Sequence, residues 1–200
     1  YYRMIAEDIE KMEIVLNSLT DYVNLYTPLR KTNTVHNIIE GILRNHRGKL
    51  EQKRIKVLKR FEKDLPEAVV PDGELKYVLE SILQYAMVLT PPSWNIILST
   101  KSLLLEKGAG EAEGFSKKDG KYIEISAIFA IDQRQKEPTS EMAILQKKEA
   151  PDILLQFVKE VVHRNHGVMK IGADEKRTKT KISMRFPVER RRVAWCPSVN

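Results

Sequence analysis

At residues 71–92 the chain reads PDGELKYVLESILQYAMVLTPP, a pattern that predicts a helix with one apolar face. Asp72 opens this helix, and the Pro91-Pro92 pair ends it because proline cannot continue a helical hydrogen-bond ladder. The apolar residues recur at intervals of three and four, the spacing that places side chains on one side of a helix: Leu75, Val78, Leu79, Ile82, Leu83 and Ala86. We expect this face to pack against the core of the domain.

The N-terminal stretch carries a second helical pattern, this one with heptad spacing. Charged residues separate six apolar positions that follow one another at intervals of four and three, the a/d seam of a coiled coil or helical bundle. These seam residues are Ile5, Ile9, Met12, Leu16, Leu19 and Val23. Pro28 ends the helix. We favour a bundle helix that pairs with a second copy; the alternative is a helix packed on the chain's own core.

The remaining sequence alternates irregularly between helices and strands. An amphipathic helix is expected over residues 32–55, and a last helix over 151–167, with Pro151 near its start and Gly167 as its C-cap. Strands are expected at residues 55–66, 94–100, 121–132, 168–173 and 180–188. This order predicts an α/β (α+β) fold: a two-layer sandwich of helices on a mixed sheet, preceded by a long bundle-forming helix.

Composition narrows the class of protein. The 200 residues are 42% hydrophobic, enough for one main core, and a net charge of +7 weakly favours an acidic partner. The single cysteine, Cys196, excludes an internal disulfide and a cysteine-based zinc site. No aromatic residues interleave with the arginines of residues 189–192, so no nucleic-acid partner is expected. No apolar run approaches membrane-spanning length, and we expect a cytoplasmic piece of a longer protein.

With this order of elements, the chain resembles the cytoplasmic part of a bacterial sensor histidine kinase over nearly its whole length. AEDIEKMEIVLNSLTDYVNLYTP, residues 6–28, is similar to the second helix of the dimerisation and phosphotransfer hairpin. Residues 50–86, 154–175 and 179–187 are similar to the entry and the closing elements of the GHKL-type ATP-binding domain. The resemblance implies three parts: a dimerisation-type helix at 1–30, an ATPase-like domain at 31–190 and a basic tail at 191–200.

Two of the family's nucleotide motifs are altered. Its first ATP-domain helix carries two asparagines, one turn apart, that hold a magnesium-bound nucleotide, and the matching residues are Ser81 and Tyr85. Tyrosine offers no carbonyl ligand and brings a bulky ring to the phosphate side. Asp132 matches the aspartate that accepts a hydrogen bond from adenine, but the glycines that follow it in the family are absent.

The family's glycine loops are altered as well. Ahead of the closing helix, glycines supply bare amides for phosphate, and the matching positions are Ala150, Asp152 and Leu154. Asp152 adds negative charge where phosphate would lie. The last glycine pair matches KRTKTK, residues 176–181, which contains no glycine. The resemblance thus implies a fold whose cofactor-binding positions, Ser81, Tyr85, Asp132 and Asp152, are degenerate.

These departures predict a degenerate histidine-kinase-like module of two-component signalling that binds neither ATP nor magnesium and serves as a dimeric scaffold. A response-regulator receiver domain is a candidate partner. No catalytic residue and no metal site are expected, and a structural role is favoured for the four histidines, His36, His46, His163 and His166. Two alternatives stay open: an active histidine kinase that uses Ser81 and Asp132 in an atypical pocket with ATP and magnesium, and an ATP-independent phosphotransfer protein whose histidine precedes Tyr1.

Overall fold

The computed structural model describes residues 2–23, 25, 33–105, 120–130, 141–174 and 178–188. The helices in this part are α1 (Tyr2–Val23), α2 (Val35–Asn45), α3 (Arg47–Gln52), α4 (Asp72–Leu89) and α5 (Glu141–Arg164). The strands are β1 (Lys56–Phe61), β2 (Asn95–Leu105), β3 (Gly120–Ala130), β4 (Val168–Ala173) and β5 (Lys179–Pro187). Within these ranges, none of the helices combines the length and the apolar character needed to cross a bilayer.

The five strands form one mixed sheet in the order β1-β2-β3-β5-β4. The β1–β2 pair is parallel and the other pairs are antiparallel. On the central strand β3, Ile125 and Ala127 point toward α2 and α4, and they meet Ile42 and Leu83 in the core. Because side chains alternate along a strand, the intervening residues of β3 lie on the opposite face of the sheet. The predicted two-layer α/β sandwich is confirmed.

The prediction of one helix over residues 32–55 is wrong, since the backbone breaks at His46 between α2 and α3. The ring of His46 is buried, and its Nε2 lies 2.8 Å from Oε1 of Glu80 on α4. That hydrogen bond lowers the pKa of Glu80 against the opposing effect of burial. The break therefore accompanies a polar contact that fastens the α2–α3 turn to α4.

The last helix also differs from its prediction at both ends. α5 begins at Glu141, ten residues before Pro151, because residues 141–150 are rich in strong helix formers such as Met, Ala, Leu, Gln and Lys. A proline inside a helix lacks the backbone donor and crowds the carbonyl of the preceding turn, yet α5 continues through Pro151. At the C-terminal end the left-handed residue is His166, with φ 56°, and Gly167 is not the C-cap. Gly167 is required for space instead, since a Cβ there would lie 2.7 Å from the Arg185 carbonyl oxygen.

Two glycines, Gly167 just before strand β4 and Gly172 within it, test this packing with the same chemical change. Gly167→Ala is expected to lower the free energy of unfolding by about 1–3 kcal/mol, because the backbone of β5 must move to admit the methyl group. Gly172→Ala is the matched control, since a Cβ there meets no atom within 4 Å. Urea unfolding of both variants measures the difference. Equal stability of the two variants would contradict the close approach at Gly167.

Candidate functional site

Helix α4 is buried from two sides, and the site lies on the side that faces α1 and α5. Its other side packs through Ile82 and Leu83 against α2 and the sheet. On the site side, Tyr77, Ser81 and Tyr85 follow one another at intervals of four residues, so they form one row along the helix. Ser81 and Tyr85 are the residues predicted above to take the places of two asparagines in histidine kinases. The row is the floor of a groove between α4 and α5.

Helix α1 fills this groove, and a polar contact stands at its centre. The hydroxyls of Ser18 on α1 and Tyr77 on α4 lie 2.9 Å apart, and the Tyr77 hydroxyl also hydrogen-bonds with Ser81. All three residues are buried. Burial raises the pKa of Tyr77, against the effect of its two serine partners. The stability that neutral Tyr77 contributes is therefore complete below the pKa of an unfolded tyrosine and is lost as pH rises through the folded value.

Aromatic rings close the groove at the C-terminal end of α1. The ring of Tyr22 lies 5.1 Å from that of Phe157 on α5 and 6.2 Å from that of Tyr77. These centroid distances are in the range in which aromatic pairs attract one another. A single side chain of α1 thus contacts both walls of the groove, which ties the three helices together.

The other end of the groove is apolar and centres on Tyr85. Ile14 and Val15 of α1 surround a small cavity together with Tyr85 of α4 and Leu154 of α5. The Tyr85 ring also meets Phe129 of β3 edge-on, with the centroids 6.0 Å apart and the planes at 80°. The cavity measures ≈ 20 Å³, room for one water molecule at most. The side chains of the groove are therefore packed against α1 along its length.

Helix α1 has two apolar stripes with different surroundings. One stripe packs into the groove through Ile14, Val15, Ser18 and Tyr22. For this stripe, the alternative prediction of a helix packed on the chain's own core is correct. The predicted seam is the other stripe, and its six side chains stay exposed. Their exposed fractions run from 40% at Leu19 to 62% at Leu16. The seam is thus left available for a second surface.

The remaining predicted site residues are placed less fully. Asp132 lies outside the described residues, and for Asp152 the structure describes the backbone, which belongs to α5. Leu154, predicted above to replace a family glycine, is buried and lines the cavity beside Tyr85. Since α5 is continuous from Glu141, the amides of residues 150–154 lie inside a helix and not at its N-terminus.

Two of the four histidines, His36 and His46, make packing or polar contacts, whereas the side chains of His163 and His166 are exposed. His36 stacks on Phe61 at 4.8 Å and its Nε2 lies 2.9 Å from Thr100 Oγ1, while His46 pairs with Glu80. Burial lowers the pKa of His36. Among the residues that the structure describes, no group of three or more His, Cys, Asp or Glu side chains is arranged to hold a metal ion.

Sequence reasoning missed Tyr77, Ser18 and Tyr22, which make the polar and aromatic contacts of the groove. A signal for them existed, because Ile14, Ser18 and Tyr22 recur at intervals of four beside the heptad seam. The partner of Ser18 lies 59 residues away, however, and no local pattern identifies such a pair. The groove contacts therefore depend on tertiary packing that the helical periodicity does not specify.

Removal of the Tyr77 hydroxyl tests the contact between α1 and α4. Tyr77→Phe is expected to lower the free energy of unfolding by about 1–2 kcal/mol, because Ser18 and Ser81 lose a buried hydrogen-bond partner. Ser18→Ala should then cost less in the Tyr77→Phe background than in the parent protein. Urea titrations of the parent, both single variants and the double variant measure this coupling. Strictly additive losses would contradict the Ser18–Tyr77 contact.

Comparison with known proteins finds similarity in structure and none in sequence. No protein-family model matches the chain, and no curated protein matches its sequence. Among solved structures, histidine kinase AdeS of Acinetobacter baumannii superposes with a TM-score of 0.55 at 10% identity, covering 88% of this chain and 76% of AdeS. The cytoplasmic segment of histidine kinase QseC superposes with a TM-score of 0.54 at 7% identity, covering 83% and 82%.

Full-length ShkA, solved in complex with AMPPNP, gives a TM-score of 0.57 at 12% identity and covers 90% of this chain and 37% of ShkA. A separate catalytic domain, that of histidine kinase ThkA, superposes with a TM-score of 0.51 over 78% of this chain. Identities this low carry information about architecture alone. The chain has the mixed-sheet, two-layer fold of the ATP-binding domain of sensor histidine kinases.

Proposed function

We propose that the chain is a histidine-kinase-like module of two-component signal transduction that does not bind ATP and acts as a dimeric signalling scaffold. The observation that carries this proposal is the position of α1, which fills the groove lined by Ser81 and Tyr85. These residues match the places at which the family holds its magnesium-bound nucleotide. In this chain the same row of α4 binds a helix of the protein itself.

The side chains of the groove do not fit a magnesium–nucleotide complex. Magnesium requires several oxygen ligands in near-octahedral geometry, whereas the buried Ser81 hydroxyl is engaged by Tyr77. The Tyr85 ring packs against Phe129 and adjoins Ile14 and Val15, which gives an apolar surface where charged phosphates would be expected. No step of phosphoryl transfer is therefore assigned to this chain.

The continuous helix α5 supports the same conclusion. Phosphate binds at helix N-termini because the first four amides there have no partner within the helix. Residues 150–154, which match the family's glycine loop, lie nine residues or more beyond the first residue of α5, where the amides other than that of Pro151 are paired with the preceding turn. The proline at position 151 has no amide hydrogen to offer.

The exposed seam supports the dimeric part of the proposal. Six apolar side chains at heptad spacing remain 40–62% exposed on α1, although the neighbouring stripe of the same helix is packed. Such a seam buries its apolar surface when a second helical hairpin covers it. In the full-length protein we propose a homodimeric bundle through this seam, with a response-regulator receiver domain as a further partner.

Calorimetric titration with ATP and ADP, with and without magnesium, tests the nucleotide part. We expect no heat and no thermal shift up to millimolar nucleotide. A matched variant, Ser81→Asn with Tyr85→Asn, restores the family's two side chains. This variant is also expected not to bind ATP or ADP, because α1 and the continuous α5 remain in place. Magnesium-dependent binding to the parent chain would contradict the proposal and favour an active kinase with an atypical pocket.

Sedimentation equilibrium of the full-length protein tests the dimeric part. Leu16→Asp places a charge on the exposed seam and is expected to shift the protein toward monomer, by about tenfold or more in the dissociation constant. Asn17→Asp is the matched control, since it adds the same charge at an exposed position next to the seam. A dimer of unchanged strength in the Leu16→Asp variant would exclude the seam as the interface.

A further inference from the structure

The face of the sheet opposite the helices, which we call the outer face, is strongly basic. Strand alternation and the pairing registers place seven cationic side chains on it. They are Lys56, Arg60, Lys101, Lys170, Lys179, Lys181 and Arg185. Every strand except β3 contributes at least one. In the described residues of the five strands, Glu124 of β3 is the one carboxylate on this face.

Glu124 shows how this face holds a carboxylate. The side chain is 3% exposed, and its Oε2 accepts a hydrogen bond of 2.7 Å from Nε of Arg185. Its Oε1 lies 3.4 Å from Nζ of Lys101 and 3.7 Å from Nζ of Lys181. Three cations thus surround one negative charge. Since Lys101 and Lys181 are 54% and 48% exposed, both remain accessible to a second anion.

Hydroxyl groups lie between the cations. Ser99 of β2, Ser126 of β3 and Ser183 of β5 stand side by side across the three strands, with Ser99 Oγ and Ser126 Oγ 2.7 Å apart. The two ends of this serine row pair with Arg60 of β1 and Lys170 of β4. Ser126 is 3% exposed and already paired with Ser99, whereas hydroxyls and cations that remain accessible along such a row can donate hydrogen bonds to carboxylate oxygens.

We propose that the outer face is a docking surface for an extended, acidic segment of a partner protein. On this face, side chains repeat about every 6.8 Å along a strand and about 4.8 Å between strands. Carboxylates on one side of an extended peptide repeat at the same spacing of about 6.8 Å. A segment rich in Asp and Glu therefore matches the charge of the face, and the cations that share a strand lie at multiples of this spacing, as Lys56 and Arg60 do. This inference is independent of the nucleotide groove.

Other anionic partners fit this face less well. Single-stranded nucleic acid binds where exposed aromatic rings accompany the cations, and Tyr122, the aromatic residue on the described outer face, is 8% exposed. A membrane surface also requires apolar side chains that enter the bilayer. Of the large apolar residues on the described outer face, Leu58 is the exposed one. Four more apolar side chains on this face are half-buried: Ile97, Leu103, Ile128 and Val168. The exposed side chains are thus mainly cationic and suited to an acidic peptide.

Fluorescence anisotropy of a labelled oligoglutamate peptide, titrated with the 200-residue chain at low ionic strength, tests the proposal. Lys101→Gln with Lys181→Gln is expected to weaken binding about three- to tenfold, as judged from the usual strength of exposed charge pairs. The control, Lys49→Gln with Lys159→Gln, removes the same charge from exposed sites on α3 and α5 and should leave the affinity unchanged. Lys101→Arg with Lys181→Arg should retain binding.

Three results would overturn the proposal. The first is an absence of peptide binding by the parent chain at low salt. The second is an equal loss in the two glutamine double variants, which would mean that net charge alone attracts the peptide. The third is tighter binding to vesicles of phosphatidylserine and phosphatidylcholine, or to oligothymidylate, than to oligoglutamate. Circular dichroism of each variant checks that the fold is kept, and the arginine pair separates a local loss of charge from a loss of structure.

Discussion

The burial of helix α4 on two sides is the constraint on which the rest of the structure depends. One side of α4 completes the core with α2 and the sheet, and the other side holds α1 through the row of Tyr77, Ser81 and Tyr85. A polar residue on the second side must find a partner inside the protein, because an unpaired buried hydroxyl costs about 1–3 kcal/mol. Ser18 supplies that partner for Tyr77 and thereby sets the position of α1 along the groove.

This arrangement links the proposed dimer seam to the domain through one helix. The seam and the groove stripe lie on the same α1, so a force that rotates or shifts α1 at the seam acts directly on Ser18 and Tyr22 in the groove. In an active kinase of this fold, a nucleotide would be expected where the groove is. In the proposed scaffold, α1 lies in the groove instead. The module can then transmit a change of helix position without chemical turnover, provided that the groove and the seam favour different positions.

Helical periodicity and strand patterns predicted much of the fold. The helix at residues 72–89, strand β4 at residues 168–173 and the mixed-sheet sandwich follow from side-chain spacing and from the turn residues that bound each element. The break at His46 did not, because it depends on a contact with Glu80, 34 residues away. The early start of α5 was missed because proline is common at the first position of a helix, so Pro151 was taken as the start. Residues 141–150, which precede it, also favour a helix.

The candidate site was only half predictable. Ser81 and Tyr85 were identified through their place in the family pattern, whereas the occupant of the groove was not, since one stripe of α1 was assigned to a seam and the second was overlooked. Periodicity identifies which face of a helix is apolar but not which surface covers it. A helix with two apolar stripes needs two surfaces to cover them. Only the three-dimensional arrangement shows that the stripe with Ile14 and Tyr22 packs against α4 and α5.

Whether α1 occupies the groove in place of nucleotide can be measured directly by NMR on the isotopically labelled protein. Nuclear Overhauser effects between the rings of Tyr22 and Phe157, which lie 5.1 Å apart, report α1 in the groove. If α1 occupies the groove, these effects are present and stay unchanged on addition of millimolar magnesium-ATP. Their absence, or their loss when magnesium-ATP is added, would contradict this placement of α1.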